Sequence, residues 1–207
     1  SGGVLLAALM AAFAGVGAWI FYNTNVLNAY ESAPMNERWR ASLERALVHY
    51  EGAPQATIVA VNANVDLYPT ARAAHVRGYY DIENRTGAAL GELHLSWPRR
   101  LRVGAVQVAG GDLVRDYGRE SPSFPFQVWR FNTPMAPGER RRLSFEASYR
   151  DVGFRTNDTL SEVNRNGTFL RDTDLTPTLG FSRQGLIRDP DLRRRHGLPE
   201  ERRVAPL

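Results

Sequence analysis

The chain has 207 residues, of which 43% are hydrophobic and 23% charged, and its formal net charge is +4. It lacks cysteine, which excludes disulfides and thiolate metal sites. The densest basic clusters, at 193–195 and 202–203, have acidic residues interleaved and lack stacking aromatics, so nucleic acid is not a predicted partner.

Residues 1–24 are predicted to form a transmembrane helix. The run at 4–22 contains no charge, and as a helix it would be roughly 28 Å long, close to the hydrocarbon thickness of a bilayer. Two alternative structures fit the run less well. A signal peptide would show a basic stretch, a shorter apolar core and a small-residue cleavage site, none of which is present. A buried helix of a soluble protein would need a second run of comparable hydrophobicity around it, and the sequence has none.

Residues 25–55 are predicted to be a polar linker followed by an amphipathic helix. The helix has one apolar stripe at helical spacing, and Gly52 and Pro54 end it. We expect the stripe to pack against the domain that follows, with a membrane-surface helix as the alternative. The residues of the stripe are Trp39, Leu43, Ala46, Leu47 and Tyr50.

Residues 56–182 are predicted to form an antiparallel β-domain. From Thr57 onward, apolar residues recur at every second position, which is typical of strands with one buried face. The segments at 57–69 and 74–84 form a predicted hairpin, and further alternating runs follow, separated by turns. Many short strands at this spacing predict a mainly β protein, either an antiparallel sandwich or a large curved sheet.

The remaining segments lack the apolar periodicity of the β-domain. Residues 157–179 are polar, with turns and one strand at 168–170. Residues 183–207 are predicted to be a short helix and a linker, because Asp189 can cap a helix that starts at Pro190, and Gly197 follows its end.

No catalytic, cofactor-binding or metal-binding residue is assigned from motifs. None of the four histidines has a second histidine four residues away, the spacing that places two zinc ligands on one helical face. His75 and His94 alternate with inward-facing residues, so both are predicted to point away from the core. The segment at 164–174 offers Asn and Asp oxygens but lacks the ligand spacing and the closing glutamate of a calcium loop.

The order and the amino-acid sequences of several segments resemble one kind of protein. These segments are WIFYNTNVLNAY, HYEG, VNANVDLYP, VRGYYDIENRTG, PMAPGERRRLSFEASY, NGTFLRDTDLTPTLGF and DPDLRRRHGLPE. Together they are similar to the join between membrane part and peptidase in bacterial ABC-transporter permeases fused to a zinc aminopeptidase of the aminopeptidase N (gluzincin) family. The similarity extends over nearly the whole chain.

The resemblance implies that the chain holds the last transmembrane helix of a permease and the saddle-like antiparallel β-sandwich that precedes a thermolysin-like catalytic domain. The HExxH zinc helix, its downstream glutamate and the GxMEN loop belong to that catalytic domain and do not occur here, so zinc is implied only for the catalytic domain. In relatives, the end of the β-domain lines the substrate cleft. The corresponding segment, 169–181, has LTPTLGF in place of the usual FPCxDxP-like wording, and its candidate cleft-edge residues are Asp174, Thr176, Thr178 and Phe181.

The expected function is therefore that of a non-catalytic anchor and β-domain within a longer zinc metallo-aminopeptidase. Its expected partners are the lipid bilayer, the catalytic domain and the permease helices. Its expected location is the bacterial inner membrane, with the β-domain on the extracytoplasmic side, because no basic residue follows the apolar run before Arg38. The alternative is an anchored extracytoplasmic β-sandwich for partner binding or transporter assembly, with no peptidase activity.

Overall fold

A computed structural model of the chain describes residues 2–28, 30–153, 163 and 165–200. The predicted linker at 201–207 and most of the polar segment at 154–164 lie outside the described residues.

The N-terminal apolar helix is present and fully exposed. Helix α1 spans Gly2–Phe21 and continues as a π-helical turn over Tyr22–Val26, and none of its side chains is buried. The segment Gly2–Val26 is long and apolar enough to cross a membrane. Its last turn is closed by two asparagines and a threonine, whose side chains donate to backbone carbonyls four residues earlier at 2.8–3.3 Å.

The amphipathic helix packs on the β-domain as predicted. Helix α2 spans Ala33–Leu47, and the Ser32 hydroxyl caps it by accepting from the Met35 amide at 3.4 Å. Leu43 and Leu47 are buried in an outer cluster on the sheet. The buried members of this outer cluster are Leu43, Leu47, Tyr117, Phe124, Phe126, Val128 and Leu186.

The predicted mainly β architecture is confirmed, and its strands form one continuous antiparallel sheet. The sheet order is β1-β2-β7-β4-β5-β6-β3-β8. The strands are β1 Thr57–Tyr68, β2 Ala73–Glu83, β3 Leu90–Ser96, β4 Arg102–Val108, β5 Gly111–Asp116, β6 Phe126–Met135, β7 Arg140–Arg150 and β8 Thr178–Leu179.

The sheet curls until distant strands share one core. Strands β2 and β3 are far apart in the hydrogen-bonded order, yet Val76 and Leu93 belong to the same buried cluster. Trp97, just after β3, lies edge-on to Phe145 of β7 with ring centroids 6.4 Å apart. The sheet is therefore close to a barrel, and its alternating apolar residues fill the interior.

One sequence prediction on this sheet is wrong, and a second is correct in direction but misses a covering layer. The strand predicted at 168–170 is absent, and the chain instead forms the two-residue strand β8, which pairs with Leu95 and Ser96 of β3. His94 faces away from the main core, as predicted, but it is buried, with 4% exposure. The reason is that the outer cluster covers that face of β3, which alternation along a single strand cannot show.

The C-terminal helix α4 spans Pro190–Arg195 and has the predicted cap. The Asp189 carboxylate accepts from the backbone amides of Asp191 and Leu192, and Gly197 adopts a left-handed φ of 62° after the helix. The acidic residues interleaved with the arginines at 193–195 favour the interpretation that these arginines lie on a solvated helix. Arg193 departs from this interpretation, since it is buried against Glu44 of α2.

Candidate functional site

Two of the predicted cleft-edge residues lie at a short helix. Asp174 belongs to helix α3, Asp172–Leu175, and Thr176 follows its end. The carboxylate of Asp174 accepts from the Arg171 amide at 2.8 Å and from its guanidinium at 3.0 Å. Burial opposes ionisation of Asp174, but these hydrogen bonds outweigh it and lower the pKa of the carboxyl. Thr176 is buried beside the main core, where the Tyr80 hydroxyl donates to the Pro177 carbonyl at 3.1 Å.

The other two residues lie along β3. The Thr178 hydroxyl donates to the Ser96 carbonyl at 3.4 Å, and the Ser96 hydroxyl donates to the Gly180 carbonyl at 2.6 Å. Phe181 then packs against the outer cluster. The structure therefore separates the four residues, with Asp174 and Thr176 on the side of the main core and Phe181 on the opposite face of the sheet.

Phe181 lies in an apolar groove between α2 and the end of β3. The groove has a volume of about 340 Å³ and continues into a more polar cleft of about 450 Å³. Trp39, Trp97 and Arg99 line both. We call these two connected cavities the tryptophan groove.

The walls of the tryptophan groove are held rigidly. The Arg99 guanidinium lies 4.0 Å from the centroid of the Trp39 ring and pairs with both oxygens of Glu31, at 2.6 and 3.2 Å. The Trp39 indole donates to the Ser123 carbonyl at 3.0 Å. The Trp97 indole nitrogen is buried and has no hydrogen-bond partner in the described part of the chain. The groove therefore offers aromatic faces beside the Arg99 guanidinium, whose charge Glu31 partly neutralises.

A buried polar cluster lies on the outer face of β3. The His94 backbone amide donates to Gln55 Oε1 at 2.9 Å, which orients the Gln55 amide so that its nitrogen donates to His94 Nδ1, also at 2.9 Å. The ring proton is then on Nε2, 3.5 Å from Glu92. Burial lowers the pKa of His94, against the opposing effect of Glu92. The Tyr50 ring closes the site, with its centroid 4.7 Å from that of His94.

The other histidines make surface contacts. His75 Nε2 lies 2.8 Å from Glu146, and His196 Nε2 lies 3.4 Å from Glu37. His49 stacks on Tyr50 with ring centroids 4.0 Å apart. Within the described ranges, no group of three or more His, Asp or Glu side chains is placed to hold a metal ion. Asn164 and the side chain of Asp172, two oxygen donors of the rejected calcium loop, lie outside the described residues.

The apolar helix is joined to the β-domain by a specific contact. The Asn28 side-chain amide donates to the Val152 carbonyl at 2.8 Å and to the Asn23 carbonyl at 2.9 Å. Gly153 has a φ of 62°, and a Cβ there would lie 2.8 Å from the Asn23 carbonyl oxygen. Only glycine fits this close approach. Sequence analysis missed this junction because it pairs residues 124 positions apart.

The junction extends to the turn between β1 and β2. The Asp151 amide donates to the Arg72 carbonyl at 2.9 Å, and the Asp151 carboxylate pairs with the Arg72 guanidinium at 3.3 Å. Arg72 has a φ of 48°, a left-handed conformation that costs a non-glycine residue about 1–2 kcal/mol. Its two bonds to Asp151 hold it there.

Comparison with known proteins gives matches only to solved structures. No family model matches the chain, and no curated protein matches it. A crystal structure of an M1 zinc metallopeptidase from Deinococcus radiodurans aligns at 17% identity with a TM-score of 0.37, covering 48% of this chain and 21% of that one. A mutant of an M1 zinc metallopeptidase from the same organism, bound to a Tyr-Ser-Ala substrate, aligns at 17% identity with a TM-score of 0.37, covering 58% of this chain and 29% of that one. The chain thus matches less than a third of the length of either.

Proposed function

We propose that the chain is the membrane-anchored, non-catalytic β-domain of a zinc aminopeptidase-like protein joined to an ABC-transporter permease. In this proposal α1 crosses the bacterial inner membrane, and the β-domain lies on the extracytoplasmic side beside the catalytic domain. The observation that carries the proposal is the exposed apolar helix fixed to a folded sheet.

The exposure of α1 supports a membrane rather than an aqueous environment. Its large apolar side chains are exposed by up to 82%, at Phe13, and monomeric soluble proteins rarely expose a continuous apolar surface of this length. The hydrocarbon chains of a bilayer would remove this apolar surface from water along the whole helix. The close approach of Gly153 to the Asn23 carbonyl also favours an anchor over a removable signal, because a cleaved segment has no need to contact the mature domain.

The peptidase assignment rests on the resemblance of the sequence segments and on their order in the fold. An apolar helix, an amphipathic helix and an antiparallel β-domain follow one another as that resemblance implies. The chain would support and enclose the catalytic cleft, and zinc chemistry would belong to the neighbouring domain.

The anchor is tested with Phe13→Arg in the middle of α1. An arginine at the centre of a spanning helix costs about 3 kcal/mol of insertion free energy, so the fraction of the chain that resists alkaline extraction from membranes should fall sharply. The matched control is Val114→Arg, at an exposed apolar position of β5, which should remain membrane-bound. A wild-type chain that is extracted as readily as Phe13→Arg would contradict the proposal.

The peptidase part is tested by the reading frame after Leu207 and by the chain itself. An HExxH motif downstream is expected, whereas a stop codon or another membrane segment would contradict the assignment. The purified chain should bind no stoichiometric zinc and hydrolyse no aminoacyl amide.

Proteolysis of the β-domain in spheroplasts, but not in inverted vesicles, would support the proposed sidedness.

The alternative function, partner binding or transporter assembly without a peptidase, is favoured by one observation. Strand β1 continues the core-facing side of β2, but its apolar residues on that side are exposed, with Val61 at 61%, Val65 at 44% and Leu67 at 43%. Such a row is typical of a surface that another protein covers. The reading frame after Leu207 separates the two functions.

A further inference from the structure

The turn between β1 and β2 lies beside the point where α1 enters the β-domain. Asn28 donates to the Val152 carbonyl, and the backbone amide of Asp151, the residue before Val152, donates to the Arg72 carbonyl at 2.9 Å. With 3.8 Å between consecutive Cα atoms, the Arg72 carbonyl is on the order of 10 Å from the Asn28 side chain.

This position places the turn near the membrane surface if α1 spans the bilayer. Trp19 and Tyr22 are the aromatic residues that suit the interface at the C-terminal end of α1. Asn28 follows Tyr22 by less than two helical turns, and each headgroup layer is about 5–8 Å thick. The turn therefore lies at the level of the headgroups and the adjacent water.

A second turn joins the first on the same side. Pro69, Thr70 and Arg72 line a shallow cleft together with residues 165–167. Phe169 follows two residues later and is 83% exposed, and Tyr68 is 53% exposed. Aromatic side chains at this level are typical of membrane interfaces.

The charge of this surface is positive. Arg150 ends β7 opposite Ala73, at the same end of the sheet. Arg150 and Arg165 are exposed and pair with no carboxylate in the described ranges. Of the nearby acidic groups, Asp151 is paired with Arg72 at 3.3 Å, and Asp66 lies 3.5 Å from Arg77.

We propose that this surface, formed by Tyr68, Thr70, Arg72, Arg150, Arg165 and Phe169 and called here the helix-exit surface, binds the phosphate headgroups of the leaflet from which α1 emerges. The inference rests on the proposed membrane anchor and extends it. Binding would fix the tilt of the β-domain on the membrane, because the sheet then has a second contact besides the helix.

The experiment uses the absence of cysteine in the chain. Thr70→Cys in the full chain carries a single environment-sensitive fluorophore, and the chain is reconstituted into vesicles of phosphatidylcholine with phosphatidylglycerol. The matched control is Pro137→Cys, which lies beyond the opposite end of β7, and the eleven residues of that strand separate the two labels by about 35 Å. A quencher attached to lipid near the headgroup should quench the Thr70 label and leave the Pro137 label bright. Aqueous iodide should show the reverse.

The outcomes separate this inference from the anchor. If the chain floats with the vesicles but the Thr70 label behaves like the Pro137 label, headgroup binding by the helix-exit surface is overturned and the proposed membrane anchor stands. If the chain does not float, both are overturned.

The arginines are tested with Arg150→Gln and Arg165→Gln. Each arginine near an anionic bilayer strengthens binding to it by about fivefold. Each change should therefore lower, by about fivefold, the ratio of Thr70 label in contact with lipid to Thr70 label exposed to water. The matched control is Arg140→Gln, at the other end of β7, which should have no effect. Wild-type contact in both variants on anionic vesicles would overturn electrostatic headgroup binding.

Discussion

At the scale of single residues, a buried ion pair joins α2 to the C-terminal segment. The Arg193 guanidinium donates to both oxygens of Glu44, at 2.6 and 3.0 Å, and to the carbonyls of Ile187 and Pro199, at 2.6 and 2.8 Å. Both charged side chains are nearly inaccessible, with 7% and 6% exposure. Burial of these two charges is therefore tolerated only because each is paired with the other and the remaining donors of Arg193 are hydrogen-bonded.

Removing one partner of this pair should be costly. Glu44→Met leaves a buried, unpaired guanidinium, and we expect a loss of about 3–5 kcal/mol in the free energy of unfolding, measured by urea denaturation. The double variant Glu44→Met/Arg193→Met should recover most of that loss. Arg194→Met, at a position whose side chain is 74% exposed, is the control and should change little. A Glu44→Met chain as stable as the wild type would contradict the buried pair.

His94 should make stability depend on pH. Burial lowers its pKa in the folded chain below the unfolded value of 6.5, so the unfolded chain binds a proton more readily. The contribution of neutral His94 is therefore complete above about pH 6.5 and is lost as the pH falls below it.

The measurement is the urea midpoint at about pH 7.5 and about pH 5.5, on either side of the ordinary histidine pKa. The decrease in midpoint should be smaller in His94→Gln than in the wild type. His75→Gln, which changes a surface histidine, should retain the wild-type decrease. An equal decrease in wild type and His94→Gln would exclude His94 as the cause.

At the scale of elements, β1 depends on a close approach to β2. Gly78 of β2 faces Ala63 of β1, and a Cβ at Gly78 would lie 2.2 Å from the Asn62 carbonyl oxygen and 2.9 Å from the Ala63 Cα. These are backbone atoms of the paired strand, so they can move only if the strand moves.

Gly78→Ala should therefore weaken the β1–β2 pair. We expect a loss of about 1–3 kcal/mol, as for other overpacked sites, together with faster proteolysis within β1. Gly91→Ala is the matched control, because Gly91 is also in a strand and has open space around its Cβ position. It should be neutral or slightly stabilising. Equal behaviour of the two variants would contradict the close approach.

At the scale of the whole molecule, bonds from the linker between α1 and α2 orient the β-domain relative to α1. Glu31 pairs with Arg99, and Asn28, which is nearer to the end of α1, donates from its side chain to the Val152 carbonyl at 2.8 Å. Loss of this bond should leave the sheet folded and let it move about the helix end.

Asn28→Ala should broaden the distribution of distances between spin labels at Ala7→Cys and Pro137→Cys, with no change in the thermal midpoint of the β-domain. Asn25→Ala is the control, since the Asn25 side chain bonds within its own turn, to the Phe21 carbonyl at 3.3 Å. A distribution as narrow as that of the wild type would show that the junction does not depend on Asn28.

The sequence by itself determined the elements whose patterns are local. An uncharged run, a 3.6-residue apolar stripe and two-residue alternation each reflect which side of one element avoids water, so they predicted α1, α2 and the mainly β class. The cap of α4 was equally local, because Asp189 bonds residues two and three positions away.

Only the tertiary structure decided features that join distant residues. Four features depend on a partner far along the chain. They are the position of β7 between β2 and β4, the burial of His94 and Arg193, the placement of Phe181 in the tryptophan groove, and the bond from Asn28 to Val152. The burial of a side chain depends on what covers it, and no periodicity within one element carries that information.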